Sequence, residues 1–285
     1  MANPIQLPQE VVDKIIYDYT INKYGLIKTG KNNGVGERIV RRVLLENKIH
    51  IRSRGEAAIL SNIQRRQFNL NDNYFSIENS NMAYLLGFLA SDGTVDKKNN
   101  RIKIGLSSVD REFLVKIKEE LNYEGDILDY TTSNGFLISE LTFTSQQIKK
   151  DLAKYNIIPN KTFTFKFPKN LNKKYWVDFI RGYFDGDGSV STAGNNAIRW
   201  QICSATKDVL ETIINFFYEE YHIKKVSILE QPRKNSTLYY FQYSTNATKE
   251  IFSILYKKDG LKLSRKYLKF KELVMNKTPR DSNPC

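Results

Sequence analysis

Two stretches of this chain repeat one another. Tyr84-Leu85-Leu86-Gly87-Phe88-Leu89-Ala90-Ser91-Asp92-Gly93 returns as Phe179-Ile180-Arg181-Gly182-Tyr183-Phe184-Asp185-Gly186-Asp187-Gly188. In each, a run of large apolar residues is interrupted by a single glycine, Gly87 or Gly182, and stops at an Asp-Gly pair, the pattern of a buried helix with its stop signal. A glycine on an otherwise bulky helix face lets a second backbone approach closely. The expectation is therefore a chain of two halves, with the two helices packed along their glycine sides so that Asp92 and Asp187 meet at their C-terminal ends.

Two carboxylates at adjacent helix C-termini conflict with each other and with the negative ends of both helix dipoles. Divalent cations remove that conflict. Oxygen ligands with few other protein donors suit Mg²⁺ (or Mn²⁺), which keeps waters and takes further ligands from substrate phosphates. The chemistry pointed to is that of a phosphodiester.

These two segments resemble the paired motifs of the LAGLIDADG homing endonucleases in their single-chain, two-repeat form. Aligned to the nine-letter signature, Leu85 to Gly93 and Ile180 to Gly188 keep the third-position glycine, the eighth-position aspartate and the final glycine in both copies. The sixth position differs, Ala90 in one and Asp185 in the other. The resemblance implies a site-specific endonuclease that breaks both strands of a long DNA target. In that family Asp92 and Asp187 would hold the metal, and Lys161 and Lys266, near the ends of the two halves, would face the catalytic centre. It also implies a mobile gene, carried in an intron or between genes. The same fold serves RNA-splicing maturases, whose partner is intron RNA, and non-cutting DNA-binding regulators, and these are the alternative readings. An intein origin is not expected, because the chain begins at Met1 and ends Ser282-Asn283-Pro284-Cys285.

The remainder of each half follows one plan. Arg101 to Ser107 and Ala197 to Cys203 alternate polar and apolar residues, the period of a half-buried strand. A helix is expected next (110 to 121, 207 to 217), then strands (136 to 144, 238 to 245), then a shorter helix (147 to 154, 249 to 256). The fold class expected is α+β, two pseudo-symmetric repeats at 81–172 and 173–275 sharing a saddle-shaped antiparallel sheet. In the family such a sheet lies in the DNA major groove. The residues offered to base edges are Arg101, Lys103, Arg199, Gln201, Gln231, Arg233, Lys234, Asn235, Tyr240 and Gln242, since Arg and Lys suit guanine and Gln and Asn suit adenine.

Residues 1–54 carry a small α-helical pattern of their own. A helix over residues 8 to 21 precedes a glycine-rich patch, and Glu37 to Glu46 places Ile39, Val40, Val43 and Leu44 on one face and Arg38, Arg41 and Arg42 on another. This resembles a helix-turn-helix unit, with Arg52 and Arg54 in a basic tail set to lie along phosphates. Residues 55–80 read as a linker and 276–285 as a tail.

The balance of charge agrees with a polyanionic partner, double-stranded DNA first. Forty-four Lys and Arg against 31 Asp and Glu leave a formal charge of +13. With only His50 and His222, a histidine-rich nuclease site is not available. Two cysteines support neither a disulfide framework nor a zinc site. With no secretion signal and no apolar run of membrane-spanning length, a monomer in the cytoplasm is expected, or in an organellar matrix if organelle-encoded.

Overall fold

The structure, a computed structural model, describes residues 7–64, 68–194, 197–234 and 236–275; Asn235 and the 276–285 tail lie outside the described residues. The chain divides into a unit of residues 1–67 and a larger one of residues 68–285.

The smaller unit is helical: α1 (Gln9–Thr20), α2 (Leu26–Asn32), α3 (Glu37–Glu46) and α4 (Arg54–Gln64). Ile15 and Tyr19 of α1 bury against Val40, Val43 and Leu44 of α3, so the apolar stripe of the sequence becomes the core. Helix α2, not expected from the sequence, runs into the start of the glycine-rich patch. The patch is the turn between α2 and α3: Gly34 has φ +67, and a Cβ at Gly30 would stand 2.5 Å from the Val35 carbonyl oxygen. Asp18 secures this turn by accepting hydrogen bonds from Asn22 and Asn33, both at 2.8 Å.

Helix α4 occupies the first part of the stretch expected to be a linker. Its start is a capping box, in which the Ser53 N–H donates to Glu56 Oε2 (2.6 Å) and the Glu56 N–H to Ser53 Oγ (3.2 Å). That Ser-x-x-Glu signal is present in the sequence beneath a polar composition.

In the larger unit, two helices open equivalent halves: α5 (Ser80–Ser91) and α8 (Trp176–Asp187). The first half continues with β1 (Gly93–Val95), β2 (Arg101–Ser107), α6 (Arg111–Glu120), β3 (Ile127–Thr131), β4 (Leu137–Thr144) and α7 (Gln146–Lys154). The second continues with β5 (Gly188–Thr192), β6 (Ile198–Ser204), α9 (Lys207–Tyr221), β7 (Leu229–Arg233), β8 (Ser236–Tyr243) and α10 (Thr245–Leu255), and closes with α11 (Ser264–Met275). The fold is α+β with the same plan written twice.

The antiparallel sheet is divided between the halves, four strands each, in the orders β1-β2-β4-β3 and β5-β6-β8-β7. Registers agree residue for residue: Gly93 opposes Ile104 as Gly188 opposes Ile202. Arg101 therefore corresponds to Arg199 and Lys103 to Gln201. Inner faces are formed by Ile102, Ile104 and Leu106 in one sheet and Ile198, Trp200 and Ile202 in the other, all buried. The outermost strand of each sheet is pinned to the first residue of the preceding helix by an ion pair, Arg111 with Asp129 (2.9 Å) and Lys207 with Glu230 (2.6 Å).

Candidate active site

Helix α5 is apolar on every side because every side is covered: Met82 to Ala90 are all buried. It packs on α8 along the glycines. A Cβ at Gly87 would lie 2.0 Å from the Phe179 carbonyl oxygen, and one at Gly182 would lie 1.9 Å from that of Tyr84. The contact is reciprocal, backbone to backbone. Gly93 and Gly188 are required for space rather than for a left-handed turn, since Cβ atoms there would meet the carbonyl oxygens of Leu89 and Phe184, each at 2.6 Å.

The C-terminal ends of both helices consequently converge. A Cβ at Gly186 would lie 3.1 Å from Asp92 Oδ2, and the Asp92 charge is felt at Asp187. Burial pushes the Asp187 carboxyl up to about 6, with repulsion from Asp92 adding to it. Asp92 is also raised, by burial, against the opposing pull of Lys266 and Lys161. Two buried acids whose carboxyls are raised despite Lys161 and Lys266 nearby form a site whose burial cost those ammonium groups do not offset.

Both lysines singled out in the sequence arrive here. Lys161, at a short 3₁₀ turn (Lys161–Phe163) after α7, donates to the Gly93 carbonyl at 2.5 Å. Lys266 on α11 donates into the last turn of α8, to the carbonyls of Phe184, Asp185, Gly186 and Gly188 at 2.7 to 3.1 Å. Each ammonium thus ties down the helix–strand junction that carries one of the aspartates. Burial lowers both lysines, while the aspartates pull them upward.

Asp185, which keeps the signature's sixth-position aspartate where the first copy has Ala90, has a structural task. Its Oδ2 accepts from the Tyr84 hydroxyl (2.6 Å) and the Leu263 N–H (2.8 Å), and burial pushes its carboxyl up to about 6. It joins α8 to α5 and to the segment leading into α11. Arg181, also buried, donates to the Leu261 and Leu255 carbonyls and pairs with Asp178 at 2.9 Å. An acid and a base inside an apolar helix were the only sequence signal for this network. The Cys203 thiol, on the neighbouring strand, donates to the Asp187 carbonyl at 3.1 Å.

Most of the residues expected to read bases lie on the polar faces of the two sheets. In the second half Gln201 stands opposite Gln242, and Tyr240 opposite Cys203; Arg199, Gln231, Arg233 and Lys234 are exposed. In the first half Arg101 is exposed, whereas the Lys103 ammonium is taken up by Glu140 at 2.6 Å. Glu140 also accepts from Tyr130 at 3.0 Å. An acid on this face was not anticipated.

In the helical unit Arg38 is exposed, Arg41 pairs with Glu37 (2.9 Å) and Arg42 approaches Glu46 (3.7 Å). Arg41, Arg52 and Arg54 line a groove of about 680 Å³ together with Lys28 and Lys31. Arg52 departs from the expected free phosphate contact: its guanidinium donates to the Tyr19 and Tyr24 carbonyls and lies over the Tyr19 ring. It is a bracket of the unit's own fold.

No helix among the described residues is long and apolar enough to cross a membrane. A family model described as a LAGLIDADG-like domain matches residues 79–153. An uncharacterized protein of Methanocaldococcus jannaschii is 25% identical over 183 residues, 62% of this chain and 65% of that one. The match thus spans less than two thirds of that relative. Among solved structures, full-length DUF199/WhiA from Thermatoga maritima aligns at 17% identity and TM-score 0.44 over 75% of this chain and 67% of that one. I-DmoI in complex with DNA and Mn aligns at 16% identity and TM-score 0.41 over 67% of this chain and all, 100%, of the other. Residues 79–153 are a LAGLIDADG-like domain, and the chain carries the two-repeat form of that fold.

Proposed function

We propose that the protein is a divalent-metal-dependent, site-specific double-strand DNA endonuclease. The observation that carries this reading is the convergence of one desolvated aspartate from each half, Asp92 and Asp187, at the ends of two helices packed backbone to backbone. Among the described residues no group of three or more His, Cys, Asp or Glu could cage an ion. The donor set therefore fits a hard cation that retains waters and shares substrate oxygens, Mg²⁺ or Mn²⁺, rather than zinc. Asp92 and Asp187 would hold it. Bound there, such an ion polarises a phosphoryl oxygen and lowers the pKa of water.

The chain's own residues supply position and charge. Asp92 and Asp187 present anionic oxygens at the end of the helix pair. Lys161 and Lys266 hold the two junctions through backbone carbonyls and leave positive charge beside the position of a scissile phosphate. The polar sheet faces, with Arg101, Lys103, Arg199, Gln201, Gln231, Arg233, Lys234, Tyr240 and Gln242, would set the register by groove contacts. Incubating purified protein with the DNA flanking its own gene, or with an uninterrupted allele of that locus, should give double-strand cleavage with Mg²⁺ or Mn²⁺. Cleavage should disappear with chelator, and Ca²⁺ should support binding without efficient cutting. Robust cutting in excess chelator would remove the reading.

Residues 1–54 add five net positive charges, ten Lys and Arg less five Asp and Glu, and are proposed as a second DNA-binding surface. Arg38, Arg41, Arg42 and Arg54 are the phosphate candidates. Deleting the helical unit should weaken binding and flatten the log–log salt dependence by about 0.9 for each phosphate no longer neutralised. The same phosphodiesters should still be cut at high enzyme concentration. An unchanged slope would make these arginines an ordinary solvated surface.

A further inference from the structure

The two halves superpose in plan but not in charge, and the difference concentrates after the second helix of each. Helices α6 and α9 are both followed closely by a left-handed residue, Asn122 (φ +46) and His222 (φ +57). The next residues then diverge: Tyr123-Glu124-Gly125-Asp126 in the first half, Ile223-Lys224-Lys225-Val226 in the second. Glu124 is engaged within the fold, accepting from the Asn69 side chain at 2.8 Å and the Asn69 N–H at 3.3 Å. Lys224 is exposed and Lys225 rests over the Tyr218 ring, 4.7 Å from its centre.

Beside these lysines lies a groove of about 680 Å³, reached by Arg199 from β6, Gln242 from β8 and Ser244. None of its described lining residues is a carboxylate. Arg199 has no ion pair among the described residues, in contrast to Lys103 on the first sheet, which is neutralised by Glu140. Three cations and three neutral hydrogen-bonding side chains, Gln242, Tyr243 and Ser244, line an open channel with no acid among its described residues, and the cations repel one another unless an anion lies there. The channel is too large for one phosphate alone. It is lined by Arg199 and Gln242, two of the base-reading candidates, so the anion that fits is a stretch of nucleic-acid backbone.

We propose that this groove is a phosphate-backbone site, with Lys224, Lys225 and Arg199 as its charged contacts, which extends the DNA footprint on the second-half side only. The proposal rests on the DNA reading above and deepens it. In the corresponding place the first half carries Glu124 and Asp126 instead of two lysines.

The test measures binding of the full chain to duplex DNA from the region flanking its gene, in Ca²⁺ so that no cleavage intervenes, over a range of salt. Wild type is compared with the double variant Lys224→Gln, Lys225→Gln. A second double variant, Lys116→Gln, Lys118→Gln, removes the same charge from α6 in the first half. The groove variant should reduce the log–log salt slope by about 1.8, two phosphates at about 0.9 each, and its hydroxyl-radical footprint should shorten at one end. The α6 variant should keep both. If the groove variant matches wild type in slope and footprint, or if the α6 variant shows the same reduction, the groove proposal falls while the DNA reading stands. If wild-type protein binds no duplex, the DNA reading fails and takes the groove with it.

Discussion

Replacing Asp92 or Asp187 by asparagine is expected to abolish double-strand cleavage and to leave duplex binding in place. Changes to residues that merely support a metal ligand cost about 10–100-fold, so loss of the ligand itself should exceed that range. Binding should survive because the change removes a charge from a repulsive pair and leaves the sheet faces untouched. Stability should move in a direction opposite to activity. The Asp187 carboxyl is raised from 3.8 to about 6 in the folded chain, so between those values the folded state holds a proton that the unfolded chain has released. For this group stability is highest below about pH 4 and falls as pH rises to about 6. Asp187→Asn should remove that fall and raise the melting temperature at neutral pH. Full cutting by either variant, or a lower melting temperature at pH 7, would contradict the assignment.

Alanine at Gly87 or Gly182 should be the most damaging small substitution in the protein. The added methyl carbon would sit 2.0 Å from one carbonyl oxygen or 1.9 Å from the other, and neither oxygen belongs to a side chain that can rotate away. Overpacking a core costs about 1–3 kcal/mol where neighbours adjust; here the helices themselves must part, so the destabilisation should reach or pass the upper end. Chemical denaturation would measure it. Since the same helices carry both aspartates, a variant that still folds should also lose cleavage. Alanine at Gly194, where nothing lies within 4 Å, is the matched control and should cost less than about 0.5 kcal/mol.

The repeated helix, its glycine contact and the meeting of Asp92 with Asp187 were legible in the sequence because each rests on local pattern and on identity between two copies. So was the alternation that buries Ile102, Ile104 and Leu106. The short strand β1 and the edge strands β3 and β7 were not separated out, because β3 is exposed at four of its five positions and β7 at all five, leaving no period to read. Helix α4 hid within a polar stretch despite its capping box. At the site, the binding mode of Lys266 could not be foreseen, for four carbonyls converge on one ammonium only when α11 has folded back on α8. Asp185 stood out only as a difference from Ala90 in the other copy, and its partner Tyr84 lies 101 residues away.

The seam between α5 and α8 also bears on how such a chain can be recombined. Its closest approaches are made by main-chain oxygens against missing side chains, so each half recognises the other chiefly by a vacancy. A half transplanted from a protein of the same plan brings that vacancy with it whatever side chains its sheet face carries. One further condition comes from the Tyr84 hydroxyl, which needs an acceptor at position 185. Hybrids that keep this donor with its acceptor should assemble as well as the parent chain, and the sheet faces can change half by half while the junction stays fixed.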